Sequence, residues 1–392
     1  MNATLPTARS STIATLGIVG GGQLAQMTAQ AASALGVDVA ILERAAEFPA
    51  RPLAARCLQG DWNDPRELVR LAEGCDVVTL ENEFVDADAL LQLEASGARL
   101  HPGAHTIRTV QDKFTQKSAF AKAGLPLPRF AAVESPGEVA RLAREWGYPL
   151  VLKKRRNGYD GKGNATVRSE GEIERAWQQL GGGAHALYAE AFCPFVAELA
   201  IMVTRGLDGA FAVYPVVETV QKDHICHVVR VPSPAVGSHA PAVERIARCA
   251  VESVQGVGSF GLELFLLADG ELLVNEIAPR VHNSGHYTIE ACETSQFENH
   301  VRAVLGWPLG STRMLAPAAV MINLLGAGPG PGRPAGLERA LAVEGAHLHL
   351  YGKRESARGR KLGHVTALGS SVEDAQARAR AAADALVFGT PS

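Results

Sequence analysis

The stretch that most constrains the fold lies near the N-terminus, at residues 16–43, LGIVGGGQLAQMTAQAASALGVDVAILE. An apolar run leads into Gly20, Gly22 and Ala25, which are spaced as G-x-G-x-x-A. The runs of this region are strands near 15–20, 37–42 and 75–80 and helices near 22–35 and 64–73. Strand, helix and strand at this spacing predict a parallel, doubly wound α/β domain that ends near residue 112.

The glycine loop also matches the dinucleotide fingerprint, in which an acidic residue about 20 positions further on binds a ribose. Glu43 stands at that place. A turn of this kind, however, presents N–H groups and the positive end of a helix dipole to any anion. The loop alone therefore leaves a nicotinamide dinucleotide and another phosphate-bearing ligand open as alternatives.

Composition narrows the class of protein. The 392 residues carry a net charge of −3, with 47% apolar and 20% charged residues, which is typical of a globular protein of two or three domains. We expect no nucleic-acid partner, because no half of the chain is strongly basic, and no membrane partner, because no apolar run approaches the ~18 residues of a membrane span.

The six cysteines lack zinc-ligand spacing and indicate reduced thiols in the cytoplasm. Residues 1–12 are too polar for a signal peptide and read as a frayed tail.

Beyond residue 149 the pattern changes to short β runs separated by glycine turns, which predicts an α+β region with antiparallel sheets. The glycine- and proline-rich segment 326–336 reads as a loop or linker. A small C-terminal unit follows, with strands near 346–350 and 364–368 and a helix from about 371 to 386.

The hairpin FGLELFLLADGELLVNEIAPR, residues 260–280, carries the clearest chemical signal. Asp269-Gly270 predicts a two-residue turn, and that register places Glu263 opposite Glu276. Opposed residues have Cβ atoms about 4.5–5.5 Å apart, and like charges there destabilise the pair. We therefore expect a cation between them, and two oxygen donors with room for water and phosphates suit Mg²⁺. The polar residues just past Glu276 are Arg280, His282, Asn283 and His286.

A second glycine-rich stretch, KKRRNGYDGKGN at 153–164, follows a strand that ends at Lys153. The loop glycines Gly158, Gly161 and Gly163 can approach phosphate oxygens closely, although the order is not that of a Walker loop. Lys113 is a second candidate phosphate ligand. Between them, the connector from Glu190 to Glu198 can offer backbone groups to adenine and a carboxylate to ribose.

In combination, these features resemble the ATP-grasp pattern, and most closely the N5-carboxyaminoimidazole ribonucleotide synthetase family. The stretches that carry the resemblance are GIVGGGQLAQM (17–27), TLENEFV (79–85), QDKFTQK (111–117), RNGYDGKG (156–163), NEIAPRVHNSGHYTIEAC (275–292), PAAVMINLLG (317–326) and GRKLGH (359–364). The resemblance implies mixed α/β and α+β structure in an ATP-grasp fold: a doubly wound pre-ATP-grasp domain at 13–112, a mobile central lid domain at 113–195, a C-terminal α+β ATP-grasp domain at 196–325 and a small C-terminal α+β unit at 337–388.

The resemblance also implies a reaction, in which ATP, bicarbonate and 5-aminoimidazole ribonucleotide give the N5-carboxylated ribonucleotide, ADP and phosphate through carboxyphosphate, in purine biosynthesis. The implied cofactors are ATP and Mg²⁺, with Mn²⁺ as the alternative metal, and bicarbonate is a co-substrate. The implied assembly is a cytoplasmic homodimer with a functional link to the mutase that acts on the product.

Site roles follow from the resemblance, residue by residue. The catalytic set is Arg280, His282, Asn283 and Lys162; the ATP set is Lys113, Lys153, Gly158, Gly161, Gly163, Glu190, Phe192 and Glu198; the metal ligands are Glu263 and Glu276; the ribonucleotide set is Gly22, Gln23, Leu24, Glu81 (or Glu83), Tyr159, Lys353 and Arg360. Glu43 loses its ribose role in this reading. Three positions depart from the family pattern: Lys162 stands where Arg is frequent, Gln221 where His is frequent, and Ala357-Arg358 where Arg-Pro is frequent. A lysine does not reproduce a bidentate arginine contact.

Other functions explain less of the sequence. A dehydrogenase gives no reason for Glu263 opposite Glu276. A glycinamide ribonucleotide transformylase or a biotin carboxylase subunit would share the hairpin and lid but differ in APRVHNSGH and GRKLGH. A non-enzymatic ATP-binding regulator would not need Arg280, His282 and Asn283 together.

Overall fold

The glycine loop joins the first strand to the first helix of a four-stranded parallel sheet, as predicted. The computed structural model describes residues 13–158, 163–222 and 225–389. The elements of this first region are β1 Thr15–Val19, α1 Gln23–Ala34, β2 Asp38–Glu43, β3 Arg56–Gln59, α2 Pro65–Ala72, β4 Val77–Leu80, α3 Ala87–Ala95 and α4 Ala104–Gln111. The strand order β3-β2-β1-β4, with all neighbours parallel, confirms the doubly wound prediction. The sequence did not predict β3, because RCLQ is a half-buried edge strand with no apolar run.

A four-stranded antiparallel sheet forms the middle of the chain. Its elements, with the helix that precedes it, are α5 Lys113–Lys122, β5 Phe130–Val133, α6 Pro136–Trp146, β6 Leu150–Lys154, β7 Asn164–Val167, α7 Ile173–Gln179 and β8 Leu187–Ala191. The order is β5-β8-β6-β7. Its apolar face packs on α6 and α7 through Val139, Leu142 and Trp177, which leaves the other face to the cleft described below.

A nine-stranded antiparallel sheet organises the rest of the chain. Its elements, with the neighbouring helices and one small ribbon, are β9 Phe195–Arg205, β10 Phe211–Val213, β11 Val217–Lys222, β12 Ile225–Val231, α8 Ala240–Ser253, β13 Gly258–Leu267, β14 Leu272–Ala278, α9 Thr288–Ala291, α10 Gln296–Leu305, β15 Ala318–Leu325, β16 Gly330–Pro331, α11 Leu337–Leu341, β17 Ala346–Leu350, β18 Glu355–Ser356, β19 Lys361–Gly369 and α12 Val372–Asp384. The order is β14-β13-β9-β11-β12-β15-β19-β17, and β10 pairs with β9. The domain boundaries drawn from the sequence stay predictions, but the C-terminal strands β17 and β19 continue the same sheet.

Two helices cover one face of the long sheet. Helix α8 packs on β9 and β13 through Val243, Ala247 and Val251, and α12 packs on β15 and β19 through Ala375 and Ala379. Both helices therefore contact the sheet through alanine and valine side chains. On the opposite face, Glu198, Glu263 and Glu276 line the candidate site, whereas Ala200, Met202 and Met321 belong to an apolar cluster with Tyr287.

The hairpin of β13 and β14 departs from the predicted turn and still opposes the two glutamates. Leu266 pairs with Leu272, and the Leu267 N–H donates to the carbonyl oxygen of Glu271 over 2.9 Å, so the turn has three residues with Gly270 at φ 89°. The predicted two-residue turn is therefore wrong by one residue. A bulge at Asn275 restores the register, and Glu263 faces Glu276.

No helix in the described part of the chain combines the length and apolar character that crossing a bilayer would require.

A buried histidine links the parallel sheet to the long sheet. The His300 Nε2 lies 2.8 Å from the Thr79 hydroxyl oxygen of β4, and the Nδ1 accepts a hydrogen bond from the Ser259 N–H of β13 over 3.0 Å. Burial, with a smaller contribution from His101, lowers the pKa of His300 from 6.5 to about 4. The ring is therefore neutral in the fold at neutral pH.

We expect this histidine to make the fold acid-sensitive. Since its folded pKa lies below its unfolded pKa, its contribution is complete above pH 6.5 and is lost as the pH falls toward 4, by about 3 kcal/mol. His300→Asn keeps an acceptor for Ser259 but does not titrate, so its denaturation midpoint should change less between these pH values. The control is His347→Asn, at an exposed position. Equal pH slopes for wild type and His300→Asn would contradict the assignment.

Candidate active site

One cleft of about 1510 Å³ lies between the middle sheet and the polar face of the long sheet. Its volume exceeds the ~300–1,000 Å³ of a typical single-ligand pocket. The predicted site residues in its wall are Gln23, Leu24, Glu81, Lys113, Lys153, Gly158, Glu190, Phe192, Glu198, Glu263, Glu276, Arg280, His282 and Asn283. Among described residues, Gly22, Gly163, Lys353 and Arg360 lie outside that wall. Tyr159, Gly161 and Lys162 lie outside the described residues.

The opposed carboxylates are compensated by a lysine. The Lys113 ammonium forms an ion pair with Glu276, and the Asn275 side-chain amide donates to Glu263 over 3.4 Å. Burial raises the pKa of Glu263 although Lys113 opposes the shift, and burial together with Lys153 lowers the pKa of Lys113 to about 8. Lysines and carboxylates thus share one desolvated site. Burial disfavours the charged form of each group, and the neighbouring opposite charge stabilises it.

A second charged group is almost fully buried, and in it one carboxylate forms ion pairs with two ammonium groups. Glu190 is 2% exposed, and its carboxylate lies 3.1 Å from Lys153 Nζ and 3.4 Å from Lys117 Nζ. Burial would raise the pKa of Glu190, but the two lysines outweigh it and the pKa is lowered. Lys117 is not among the site residues predicted from the sequence. Its spacing of four residues from Lys113 on one helix was a usable signal, since residues i and i+4 share a helix face.

Glu198 is held by the residue that departs from the family pattern. The Gln221 side-chain amide donates to the Glu198 carboxylate over 3.1 Å. Burial, with the charge of Glu263, raises the pKa of Glu198 to about 7. Phe192, 45% exposed, also contributes to the cleft wall. Glu198 thus provides a polar acceptor in the cleft wall, and Phe192 provides an apolar surface.

His282 is fixed by its backbone and remains neutral. The Gln296 side chain accepts from the His282 N–H over 2.9 Å and donates to the His282 carbonyl oxygen over 2.7 Å. The Ser284 N–H donates to the His282 Nδ1, which places the ring proton on Nε2, 3.7 Å from a Glu263 oxygen. Burial, with Arg280 and Lys361, lowers the pKa of His282 to about 3. The ring is therefore a neutral donor directed into the cleft.

Asn283 is held by a reciprocal amide pair. Its side-chain amide donates to the Asn323 oxygen over 2.9 Å, and the Asn323 amide returns a bond of 2.6 Å. Asn323 also donates to the Cys226 carbonyl oxygen. Asn323, on β15, was not selected from the sequence, because an asparagine in an apolar strand identifies no partner by itself.

The glycine loop is occupied by the protein's own carboxylates. Glu81 accepts from the Gly22 N–H over 2.5 Å and from the Leu24 N–H over 3.2 Å, and Glu43 accepts from the Gly21 N–H over 2.8 Å. A Cβ at Gly22 would collide with the Glu81 carboxylate, which explains the glycine. The fingerprint's acidic residue thus binds the loop itself, and the N–H donors expected to face a phosphate at Gly22 and Leu24 bind Glu81.

A cationic group from the C-terminal unit borders the cleft. The Lys353 ammonium donates to the Lys361 carbonyl oxygen over 2.8 Å, and Arg360 donates to the Glu355 carbonyl oxygen over 3.0 Å. Burial, with Arg360, lowers the pKa of Lys353 to about 8, while Glu81 acts in the opposite direction. Lys361 lies in the cleft wall and was not selected, although it directly follows Arg360 in GRK.

A buried glutamine secures the strand that carries Glu276. Gln116, on α5, accepts from the Ile277 N–H and donates to the Ile277 carbonyl oxygen, each over 3.1 Å. Since β14 is the last strand of its sheet, no strand in the described part of the chain pairs with these backbone groups on that side. The Gln116 side chain therefore makes the two backbone hydrogen bonds that a residue of a neighbouring strand would otherwise make.

Comparisons with known proteins agree with this arrangement. Residues 13–111 match the ribonucleotide synthetase preATP-grasp domain, 118–297 the ATP-grasp domain, and 319–378 the phosphoribosylaminoimidazole carboxylase C-terminal domain. The chain is 45% identical over 352 residues to N5-carboxyaminoimidazole ribonucleotide synthase of Synechococcus elongatus, covering 90% of this chain and 88% of that one. It is 42% identical to the chloroplastic phosphoribosylaminoimidazole carboxylase of Vigna aconitifolia, covering 91% of this chain but 64% of that longer protein.

Among solved structures, the fold is similar to that of N5-carboxyaminoimidazole synthase from Aspergillus clavatus in complex with ADP and 5-aminoimidazole ribonucleotide. The TM-score is 0.87 and the identity 36%, covering 95% of this chain and 98% of that one.

Replacing Gln116 by leucine should destabilise the fold around Glu276. The change leaves the buried N–H and carbonyl of Ile277 without partners, at a cost of about 1–3 kcal/mol for each group. Urea unfolding measures the loss. The matched control is Gln92→Leu, an exposed glutamine in α3, which should change stability by less than about 0.5 kcal/mol. Equal midpoints for the two variants would show that Gln116 does not stabilise β14.

Proposed function

Because the chain belongs to the N5-carboxyaminoimidazole ribonucleotide synthase family, we propose that this cleft carries its activity, the ATP-dependent carboxylation of 5-aminoimidazole ribonucleotide. The chain has the ATP-grasp fold and is a carbon–nitrogen ligase of purine biosynthesis.

One observation carries the assignment of the reaction to this cleft. A single cavity contains the opposed carboxylates with their lysines and also Arg280, His282 and Asn283, which follow Glu276 within seven residues. A nucleotide held by the first group and a small anion held by the second would lie side by side. A phosphoryl group could then pass between them without crossing bulk water.

We assign the nucleotide to the middle sheet and the hairpin. In this proposal Lys113 and Lys153 bind the phosphates, and the ion pair with Glu190, at 3.1 Å, supports the role of Lys153 by holding its ammonium. Gly158 lies in the cleft wall, where the backbone can approach a phosphate. We propose that Glu198 accepts a ribose hydroxyl and that Phe192 covers the adenine, since both line the cleft.

The residues present fit a magnesium ion. Glu263 and Glu276 supply two oxygen ligands, and Mg²⁺ usually completes its octahedron with water and substrate phosphates. The raised pKa of the buried Glu263 indicates a carboxylate that would be stabilised by a further cation. A bound Mg²⁺ would screen charge on the nucleotide phosphates. The described residues contain no cluster of three metal-binding side chains, so the ion would depend on the nucleotide.

We propose that a bicarbonate oxygen attacks the γ-phosphorus, that ADP leaves, and that the resulting carboxyphosphate breaks down to CO₂ and phosphate. The exocyclic amine of the aminoimidazole then attacks the CO₂ carbon, one C=O π bond opens to give the carboxylate, and the proton that the nitrogen loses passes to the released phosphate. Arg280 neutralises the oxyanion, the neutral His282 donates through Nε2–H, and Asn283 offers its amide. We retain Lys162 and Tyr159 as residues that contact the substrate from the glycine-rich stretch, a role resting on the family resemblance alone.

The ribonucleotide is placed against the N-terminal loop. Glu81, whose carboxylate is held by the Gly22 and Leu24 N–H groups, is the proposed acceptor for a ribose hydroxyl or the amine. Gln23 and Leu24 form the adjoining wall. A phosphate would compete with Glu81 for the loop, so Lys353 and Arg360, to which the family resemblance assigns the substrate phosphate, remain its proposed ligands.

We also propose a cytoplasmic homodimer with a functional link to the mutase that acts on the product. None of the six cysteines, which all lie in the described part of the chain, forms a disulfide, and this supports a reducing compartment. The dimer and the link rest on the family resemblance.

The reaction predicts phosphate release from ATP that requires both bicarbonate and 5-aminoimidazole ribonucleotide. Glu276→Gln should lower kcat at least about 100-fold, equivalent to about 2.7 kcal/mol, because one ligand of the proposed metal and the partner of Lys113 lose their charge. The control Glu271→Gln changes an exposed carboxylate on the same hairpin and should retain the rate. Absence of substrate-dependent release, or a full rate in Glu276→Gln, would refute the proposal.

The proposed phosphate site predicts an effect limited to one substrate. Lys353→Met should raise the KM for the ribonucleotide about 10–100-fold and leave the KM for ATP unchanged, since it removes one charge-assisted phosphate contact. Arg354→Met, an exposed neighbour paired with Glu47, is the control. If Lys353→Met raised the KM for ATP as much as the KM for the ribonucleotide, Lys353 would not be a specific ligand of the ribonucleotide phosphate.

A further inference from the structure

Glu83 and Arg280 form a bidentate ion pair inside the cleft. The Arg280 Nε donates to one Glu83 oxygen over 2.6 Å, and Nη2 donates to the other over 3.1 Å. The two side chains are 20% and 18% exposed. Burial would raise the pKa of Glu83, but the charge and hydrogen bonds of Arg280 lower it, so the carboxylate is ionised. Parallel N–H···O bonds of this type fix orientation as well as charge.

The pair leaves a defined edge of the guanidinium for another anion. Of the five N–H groups of Arg280, two bind Glu83, and one on Nη1 donates to the Val281 carbonyl oxygen over 3.3 Å. Within the described part of the chain, one N–H on Nη1 and one on Nη2 remain. Two N–H groups on neighbouring nitrogens are the geometry that a carboxylate or phosphate accepts.

The two partners come from different parts of the chain. Glu83 follows β4 in the parallel domain, and Arg280 follows β14 in the long sheet. The loop that carries Glu83 is tied to α4, because the Gln111 side chain donates to the Glu83 and Val85 carbonyl oxygens. Glu81, the proposed ribonucleotide contact, is two residues away. The placement of Arg280 is therefore set by the segment that meets the ribonucleotide.

We propose that Glu83 is a positioning residue, which orients Arg280 so that its Nη1–Nη2 edge meets the oxyanion formed from bicarbonate. This inference rests on the proposed function of Arg280. Glu83 touches no reacting atom in this scheme, since both of its oxygens are bound to the guanidinium. It also compensates the buried arginine when no anion is bound, which keeps the empty site stable.

The test is a double-mutant cycle in the ribonucleotide-dependent release of phosphate. Glu83→Gln keeps the shape of the side chain but replaces the carboxylate with an amide, whose NH₂ group faces the guanidinium. It should lower kcat/KM for bicarbonate about 10–100-fold. The KM for ATP should stay within about twofold of the wild-type value. Glu83→Asp, which keeps the charge, should recover part of the loss. In an Arg280→Ala background, Glu83→Gln should change the rate by less than about twofold, because the residue acts only through the arginine.

A matched control removes the charge from a bidentate pair outside the cleft. Asp374→Asn alters the ion pair with Arg378 on α12 and should leave all kinetic constants unchanged. Thermal unfolding of each variant separates loss of fold from loss of positioning. Additive effects of Glu83→Gln and Arg280→Ala, an equal rise in the KM for ATP, or an unaffected Glu83→Gln would overturn the positioning role alone. A wild-type protein without ribonucleotide-dependent release would overturn the proposed function, and with it this role.

Discussion

The opposition of Glu263 and Glu276 is the constraint on which the rest of the site depends. Two carboxylates face each other in a sheet whose other residues are largely apolar, and desolvation makes their mutual repulsion costly. Positively charged groups are therefore needed beside Glu263 and Glu276. Lys113 satisfies Glu276 directly, and its own lowered pKa shows that it too is stabilised only by its neighbours. In the proposed complex, the metal ion would add positive charge beside Glu263 and Glu276, and the nucleotide phosphates would add negative charge beside Lys113.

Backbone patterns could be predicted from the sequence, whereas side-chain partners mostly could not. The parallel sheet followed from the strand, loop and helix at 16–43, and the opposition of Glu263 and Glu276 followed from Asp269-Gly270. That opposition was correct although the predicted turn was wrong, because the extra turn residue is offset by the bulge at Asn275. Sequence alone does not reveal two compensating irregularities in one hairpin.

The partners missed by the sequence analysis are those that tertiary structure creates. Gln116 and Gln296 each bind both the N–H and the carbonyl of one distant residue, as a strand neighbour would. Nothing local marks such a glutamine, since its target lies 161 residues away in one case and 14 in the other. The glycine loop shows the converse error. Its geometry was read correctly, but its donors are bound by Glu43 and Glu81, and periodicity says nothing about which anion fills a turn.

The continuity of the long sheet has a consequence for how the chain can be divided. β15 lies between β12 and β19, so the segment after the glycine- and proline-rich linker supplies one whole side of its hydrogen bonds. A chain ending at that linker would expose AAVMINLL as an uncharged, eight-residue edge, the type of surface that recruits other strands. The C-terminal unit thus covers an edge that would otherwise recruit other strands, and it also carries Lys353, Arg360 and Lys361. Its loss would therefore reduce solubility as well as the proposed binding of the substrate phosphate.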